Sequence, residues 1–159
     1  MPRRMSYPIL QLCALALWLG ASVLFSAAVA PAAFAVLPTR TLAGDIVGRV
    51  LPVIFYAGML VGVLVIALDF ADAEEWRWNT SVIAAAVVAI ACAAAQFVVG
   101  SRIDQVRSRI AGAVDALAPG DPLRVEFGRL HGVSVALLGV AMLAAAVALV
   151  AAARDLARR

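Results

Sequence analysis

The chain has 159 residues, of which 65% are hydrophobic and only 14% charged, with a mean hydropathy of +1.00. An ordinary soluble domain is about half apolar and about a quarter charged, so no water-soluble core hides this much apolar surface and the host has to be a lipid bilayer. The net charge of +3 would point to nucleic acid in a soluble protein, but here the arginines sit in loops and tails, where they normally flank spans, and nucleic acid is excluded as a partner.

Four runs are long enough to cross a hydrocarbon core of about 30 Å, which takes about 20 helical residues. They cover about 9–30, 50–70, 80–100 and 133–153, and none carries a charge in its interior. Backbone groups in lipid must be satisfied within each segment, which makes the spans helices. The expected fold is all-α: one domain over 1–159, a polytopic integral membrane four-helix bundle with helices extending beyond the bilayer. All 13 basic residues are Arg and 36 residues are Ala, the bias of a GC-rich bacterial genome. The expected location is accordingly the bacterial inner (cytoplasmic) membrane.

The first run follows Arg3 and Arg4 and is about twice the usual length of a signal-peptide core of about 7–15 residues; a retained first helix is expected. Pro31 and Pro38 bracket AAFAVL, so the first span should kink or end there. Thr39 or Thr41 can then cap a new helix. Leu42, Ile46, Val47 and Val50 recur at helical spacing with Asp45 and Arg49 off the stripe, which reads as an amphipathic lead-in to the second span, bent near Pro52. The connection to the third span is short and acidic, with Asp69, Asp72, Glu74 and Glu75 beside Trp76 and Trp78. It lacks the spacing of a calcium loop, and the tryptophans suit an interface anchor.

Beyond the third span, Ile103, Val106, Ile110, Val114 and Leu117 keep one apolar face, predicting a helix that runs on to APGD. Asp121 followed by Pro122 is a good N-cap and first-turn pair, so the fourth helix should start well before the membrane. Residues 101–132 then form an Arg-rich helical hairpin projecting from the bilayer. An even number of spans puts both termini on one side with Arg3, Arg4, Arg77, Arg154, Arg158 and Arg159. The other side holds Arg40, Arg49, Arg102, Arg107, Arg109, Arg124 and Arg129. The positive-inside rule leaves six against seven undecided; first-helix bias favours termini inside, and the hairpin argues the reverse.

Candidate sites are few. Arg124, Phe127 and His131 share a face of the fourth helix. With neighbouring Arg129, and Arg102, Arg107 and Arg109 on the facing arm, they are the candidates for contact with lipid headgroups or a membrane partner. Gly58 and Gly62 form a GxxxG, the spacing that lets helix backbones approach closely in lipid; they are the candidate packing residues, within the bundle or between copies in a homo-oligomer. His131 is the only histidine, so one chain cannot supply a bis-His haem site, and Cys13 and Cys92 fall inside apolar runs at different depths, where cysteine behaves as a small hydrophobe. No cofactor and no metal is expected. Coupled pumps usually need an ionisable group at membrane depth; Tyr56 and Gln96 are the only sizeable polar groups read there, which disfavours active transport.

Four segments in order, LWLGAS (17–22), APAAFAVLP (30–38), AGDIVGRVLPVIFYAG (43–58) and FGRLHGVS (127–134), give the chain a pattern that resembles the transmembrane protein 205-like domain family, across nearly its whole length. The resemblance implies a four-span membrane fold and no established activity. The matching positions are Trp18, Pro31, Phe34, Gly48, Tyr56, Arg129, His131 and Gly132. The functional expectation is a non-enzymatic multi-pass protein acting through helix packing and its Arg-rich hairpin. The alternative is an oligomeric passive or exchange-type carrier of a small solute or metal ion. A lipid-acting enzyme would require Asp45, Arg129 and His131 to converge on one membrane face.

Overall fold

A computed structural model describes residues 6–72 and 78–158. Four long helices make up the fold: α1 (Tyr7–Val36), α2 (Arg40–Asp72), α3 (Thr80–Ser108) and α4 (Pro122–Ala157). Each is long and apolar enough to cross a membrane. At 1.5 Å per residue they measure roughly 43–54 Å, more than the hydrocarbon core needs, so each extends past it. Among the described residues there is no strand. Glu74, Glu75 and Trp76 of the acidic connection lie outside the described residues.

The helices pack in a ring, α1 on α2, α2 on α3, α3 on α4 and α4 back on α1. The tightest seam joins α3 and α4. Ser81, Ala85, Val88, Cys92, Ala95 and Val99 are buried on α3, and Ser134, Leu138, Ala141, Ala145, Ala148 and Ala152 on α4. Both sets alternate four- and three-residue steps, the 3.5-residue period of a left-handed supercoil. Alanine at six of these twelve positions, four of them on α4, lets the two backbones close up where hydrophobic driving force is absent. On the outer face Leu17, Leu60, Ile90 and Leu143 are exposed, as a lipid-facing surface requires.

Two side chains fasten α1 to α2. The Trp18 indole donates Nε1–H to the Ile54 carbonyl at 2.9 Å, and the Gln11 amide donates to the Val65 carbonyl at 3.2 Å. Both residues are buried, Gln11 to 6% exposure, so a large polar side chain not singled out from the sequence lies inside the bundle. Tyr56, by contrast, is half exposed and meets Phe97 edge to face.

Pro31 neither ends nor breaks the first helix. The turn before it widens into a π segment, Phe25–Val29, in which the Ala30 N–H reaches the Phe25 carbonyl; Pro31 then falls in the opening turn of the next helical stretch, where its missing N–H matters least. The helix stops at Val36, with Leu37 extended before Pro38. Thr39 Oγ1 accepts from the Leu42 N–H and opens α2, in which the lead-in and the second span are one helix with Pro52 inside it. Asn79 caps α3 by accepting from the Val82 N–H at 2.8 Å, while its amide donates to both carboxylate oxygens of Asp69.

The third helix is shorter than its apolar stripe implies. It ends at Ser108, and residues 109–121 form an irregular connection with Gly112 at φ +109° and a single 3-10 turn, Val114–Ala116. That φ belongs to the left-handed side of the map, open to glycine at little cost, and it cannot be part of a right-handed helix. Ile110 is still buried: the stripe Ile103, Val106, Ile110 is real, but Val114 and Leu117 continue it through a folded-over chain. The hairpin expected over residues 101–132 therefore has one short helical arm, a packed connection and one long arm, which Asp121 opens by accepting from the Leu123 N–H at 2.8 Å.

Candidate functional site

At the end of the bundle that carries this connection, all four helices enclose a cavity of about 580 Å³. Its floor is apolar and reaches into the spans: Val47, Leu51, Pro52 and Phe55 from α2, and Ala95 from α3, with Phe34 of α1 alongside. Its rim is charged, with Arg40 and Asp45 on α2, Asp104 and Arg107 on α3, Asp115 on the connection, and Arg124 and His131 on α4. The volume falls within the range of about 300–1,000 Å³ usual for small-molecule sites.

Arg107 organises this end. Its guanidinium pairs with Asp45 at 3.4 Å and lies over the Phe127 ring, 5.5 Å from the centroid. Its guanidinium lies against two glycines of α2: a Cβ on Gly44 or Gly48 would stand 3.8 Å from the nearest guanidinium nitrogen, in ordinary contact. The GDIVG segment is thus a second GxxxG, and it seats a planar cation rather than another helix. Phe127 in turn stacks against His131, planes 6° apart and centroids 6.4 Å apart. Arg124 donates to the Leu117 carbonyl, fixing the irregular connection over the cavity mouth.

Of the residues that the sequence singles out, Arg124, Phe127 and His131 line one cavity, on one face of α4. Arg129 does not; it is exposed on another face of the same helix. Asp45, Arg129 and His131 therefore do not converge, since Asp45 is paired with Arg107 and Arg129 lies outside the cavity. Arg102 and Arg109 are exposed as well, which leaves Arg107 as the arm's only arginine on the cavity. Gly58 and Gly62 sit elsewhere, inside the bundle. A Cβ on Gly58 would fall 2.5 Å from Cys92 Sγ and 2.8 Å from the Trp18 ring, and one on Gly62 would fall 2.7 Å from the Ala85 carbonyl oxygen. This GxxxG joins α2 to α3 and α1, not one copy to another.

Two irregularities in the spans face the cavity. Pro52 withdraws the N–H that the Gly48 carbonyl would otherwise receive. In α3 the π segment Ala94–Gly100 carries Gln96 and Gly100 onto the cavity wall. Ser101 Oγ closes that segment by donating to the Phe97 carbonyl at 2.8 Å. Irregular backbone at membrane depth is tolerated where it lines a cavity, and π turns are frequent at functional sites. Among the described residues no group of three or more His, Cys, Asp or Glu is placed to hold a metal.

Fold and cavity together define a class: a four-span helical membrane protein with a mixed-charge cavity at one end of the bundle. Residues 13–111 match the family described as a domain of unknown function, DUF4149, and the chain belongs to that family. The match takes in the α2 and α3 walls, with Gly44, Asp45, Gly48 and Arg107, and stops before α4. No curated protein and no solved structure matches the chain.

Proposed function

We propose that the protein is a non-enzymatic multi-pass protein of a bacterial inner membrane that holds a phospholipid headgroup in the cavity at the α2–α3–α4 end. The observation that carries this reading is the division of the cavity: arginines from three helices, Arg40, Arg107 and Arg124, at the rim, above a floor of Leu51, Pro52, Phe55 and Ala95. Guanidinium groups recognise phosphate through forked hydrogen bonds, and an apolar floor suits the glycerol and the first acyl carbons. Arg124, Phe127 and His131 belong to this contact. Arg129 faces away and is left for the bulk headgroup layer or a membrane partner. The outward apolar faces of the helices are available to lipid, to a second copy or to another membrane protein.

The carrier alternative draws on Gln96 and the Gly48 carbonyl, the polar groups deepest in the cavity. Against it stands the middle of the bundle, where Leu15, Val65, Ala85, Val88, Cys92, Ala141 and Ala145 are all 0% exposed. A solute path would have to open that layer. The likeness to transmembrane protein 205-like proteins extends past the matched family segment to residues 127–134, and we include the chain with them on that basis.

The test is lipid retention by the full-length chain purified in mild detergent and measured by native mass spectrometry. Arg40→Ala with Arg124→Ala should lower bound phospholipid by about two- to fivefold, the worth of partly exposed charge contacts. Arg129→Ala should leave it unchanged. Equal retention in all three proteins would sink the reading.

A further inference from the structure

The rim is not simply basic. Arg40, Arg107 and Arg124 are matched by Asp45, Asp104 and Asp115 on the same cavity, so with His131 neutral the lining charges sum to zero. Arg107 and Asp45 answer each other. Arg124 spends one donor on the Leu117 carbonyl and keeps the others of its five. Arg40, Asp104 and Asp115 have no hydrogen-bond or ion-pair partner among the described residues. The cavity therefore offers two guanidinium groups and two carboxylates to whatever enters it.

Resting on the headgroup reading above, we infer that the cavity selects a zwitterionic phospholipid whose headgroup ends in a primary ammonium, the chemistry of phosphatidylethanolamine, over an anionic one. An anionic headgroup brings a net negative charge to a wall whose carboxylates equal its arginines in number, so repulsion offsets attraction. A zwitterion meets both signs, its phosphodiester on Arg40 and Arg124 and its ammonium on Asp104 and Asp115, each through charge-assisted hydrogen bonds. The ammonium is a primary one because carboxylates take hydrogen bonds. A quaternary ammonium is held by aromatic faces instead, and here the Phe127 face is already covered by the Arg107 guanidinium. The ligand is a lipid rather than a free phosphoester because the floor continues as Leu51, Phe55 and Ala95 into the spans.

The experiment places the full-length chain in nanodiscs of equal parts phosphatidylethanolamine, phosphatidylglycerol and phosphatidylcholine and reads the lipids that stay bound on release into the gas phase. The expected result is a two- to fivefold enrichment of phosphatidylethanolamine over each of the others. The double variant Asp104→Asn, Asp115→Asn should lose that preference while retaining lipid, and circular dichroism should show its helix content intact. Enrichment of phosphatidylglycerol, or no preference among the three by the wild-type chain, overturns the zwitterion inference and leaves headgroup binding standing. Retention that is unaffected by Arg40→Ala with Arg124→Ala overturns headgroup binding itself. Displacement of the lipid by soluble phosphoethanolamine overturns the lipid as ligand.

Discussion

Replacing Gly62 by alanine tests whether close backbone approach at the α2–α3 seam holds the bundle together. An added Cβ would stand 2.7 Å from the Ala85 carbonyl oxygen, 2.9 Å from Ala89 Cβ and 3.0 Å from the Ala89 nitrogen. Ordinary contact starts near 3.4 Å, and two of these three atoms belong to the α3 backbone, so the helices themselves must part. Overpacking of this kind costs about 1–3 kcal/mol, while alanine for glycine within a helix returns about 0.5–1 kcal/mol. The net expectation is a loss of about 0.5–2 kcal/mol. Gly20 and Gly139 supply the control, because a Cβ at either meets nothing within 4 Å and only the helix gain applies. Gly58 is the intermediate case: the first obstacle is the Cys92 sulfur, which can be removed, and the next is the Trp18 ring, which cannot without further loss. Reversible unfolding in mixed micelles titrated with dodecyl sulfate would rank the variants. Gly62→Ala should fall below wild type, Gly20→Ala and Gly139→Ala should equal or exceed it, and adding Cys92→Ala should recover part of the Gly58→Ala loss but none of the Gly62→Ala loss. If Gly62→Ala proves as stable as Gly139→Ala, the seam is not where the structure puts it.

Trp18→Phe puts a smaller ring in place of the indole and removes the bond to the Ile54 carbonyl; the lost bond alone should cost about 0.5–1.5 kcal/mol, and the space left at this buried site adds to it, both read in the same unfolding assay. Asn79→Ala deletes the cap of α3 together with two bonds to Asp69, with an expected loss of about 1 kcal/mol, read from the same curve. Gly112→Ala forces a side chain into φ +109° and should loosen the 109–121 connection without unfolding the bundle; limited proteolysis should cut there first. Pro38→Cys and Ala118→Cys, with Cys13 replaced, should react with a membrane-impermeant thiol reagent from one side of the membrane and Ala157→Cys from the other.

The spans were legible because each is an uninterrupted apolar run, and bilayer chemistry leaves a helix as the only local solution. The caps at Thr39 and Asp121 were legible for a similar reason, since each bond closes within three residues. Pro31 and Pro38 bracket the stretch in which the first helix does end, at Val36, but the π segment at Phe25–Val29 that carries the helix through Pro31 has no local signature. The end of α3 misleads: an apolar stripe records which residues face inward, and Ile110 and Val114 face inward whether or not the chain between them is helical. Gly112 was the available signal. Within the candidate site, the α4 face of Arg124, Phe127 and His131 follows from three- and four-residue spacing alone. Arg107 could not be separated from Arg102 and Arg109 without knowing which side of α3 meets α2.

That separation is where the GDIVG segment matters. A guanidinium brought to a helix surface needs a counter-charge, and Asp45, between Gly44 and Gly48 on the turn of α2 that Arg107 lies against, supplies it. The pair spans 62 positions of sequence and is partly exposed on both sides, so its contribution to stability is small. Its larger effect is on shape. With Arg107 held against α2 on one side and lying over Phe127 on the other, the short arm of the hairpin cannot swing away from the cavity without breaking both contacts. Arg124, bonded to the connection at Leu117, pins the remaining side. The charges that close this end of the bundle thus also hold the remaining carboxylates and guanidinium groups around the cavity, and on the headgroup reading proposed above the apolar layer around Val88 and Cys92 would keep the ligand at one membrane face.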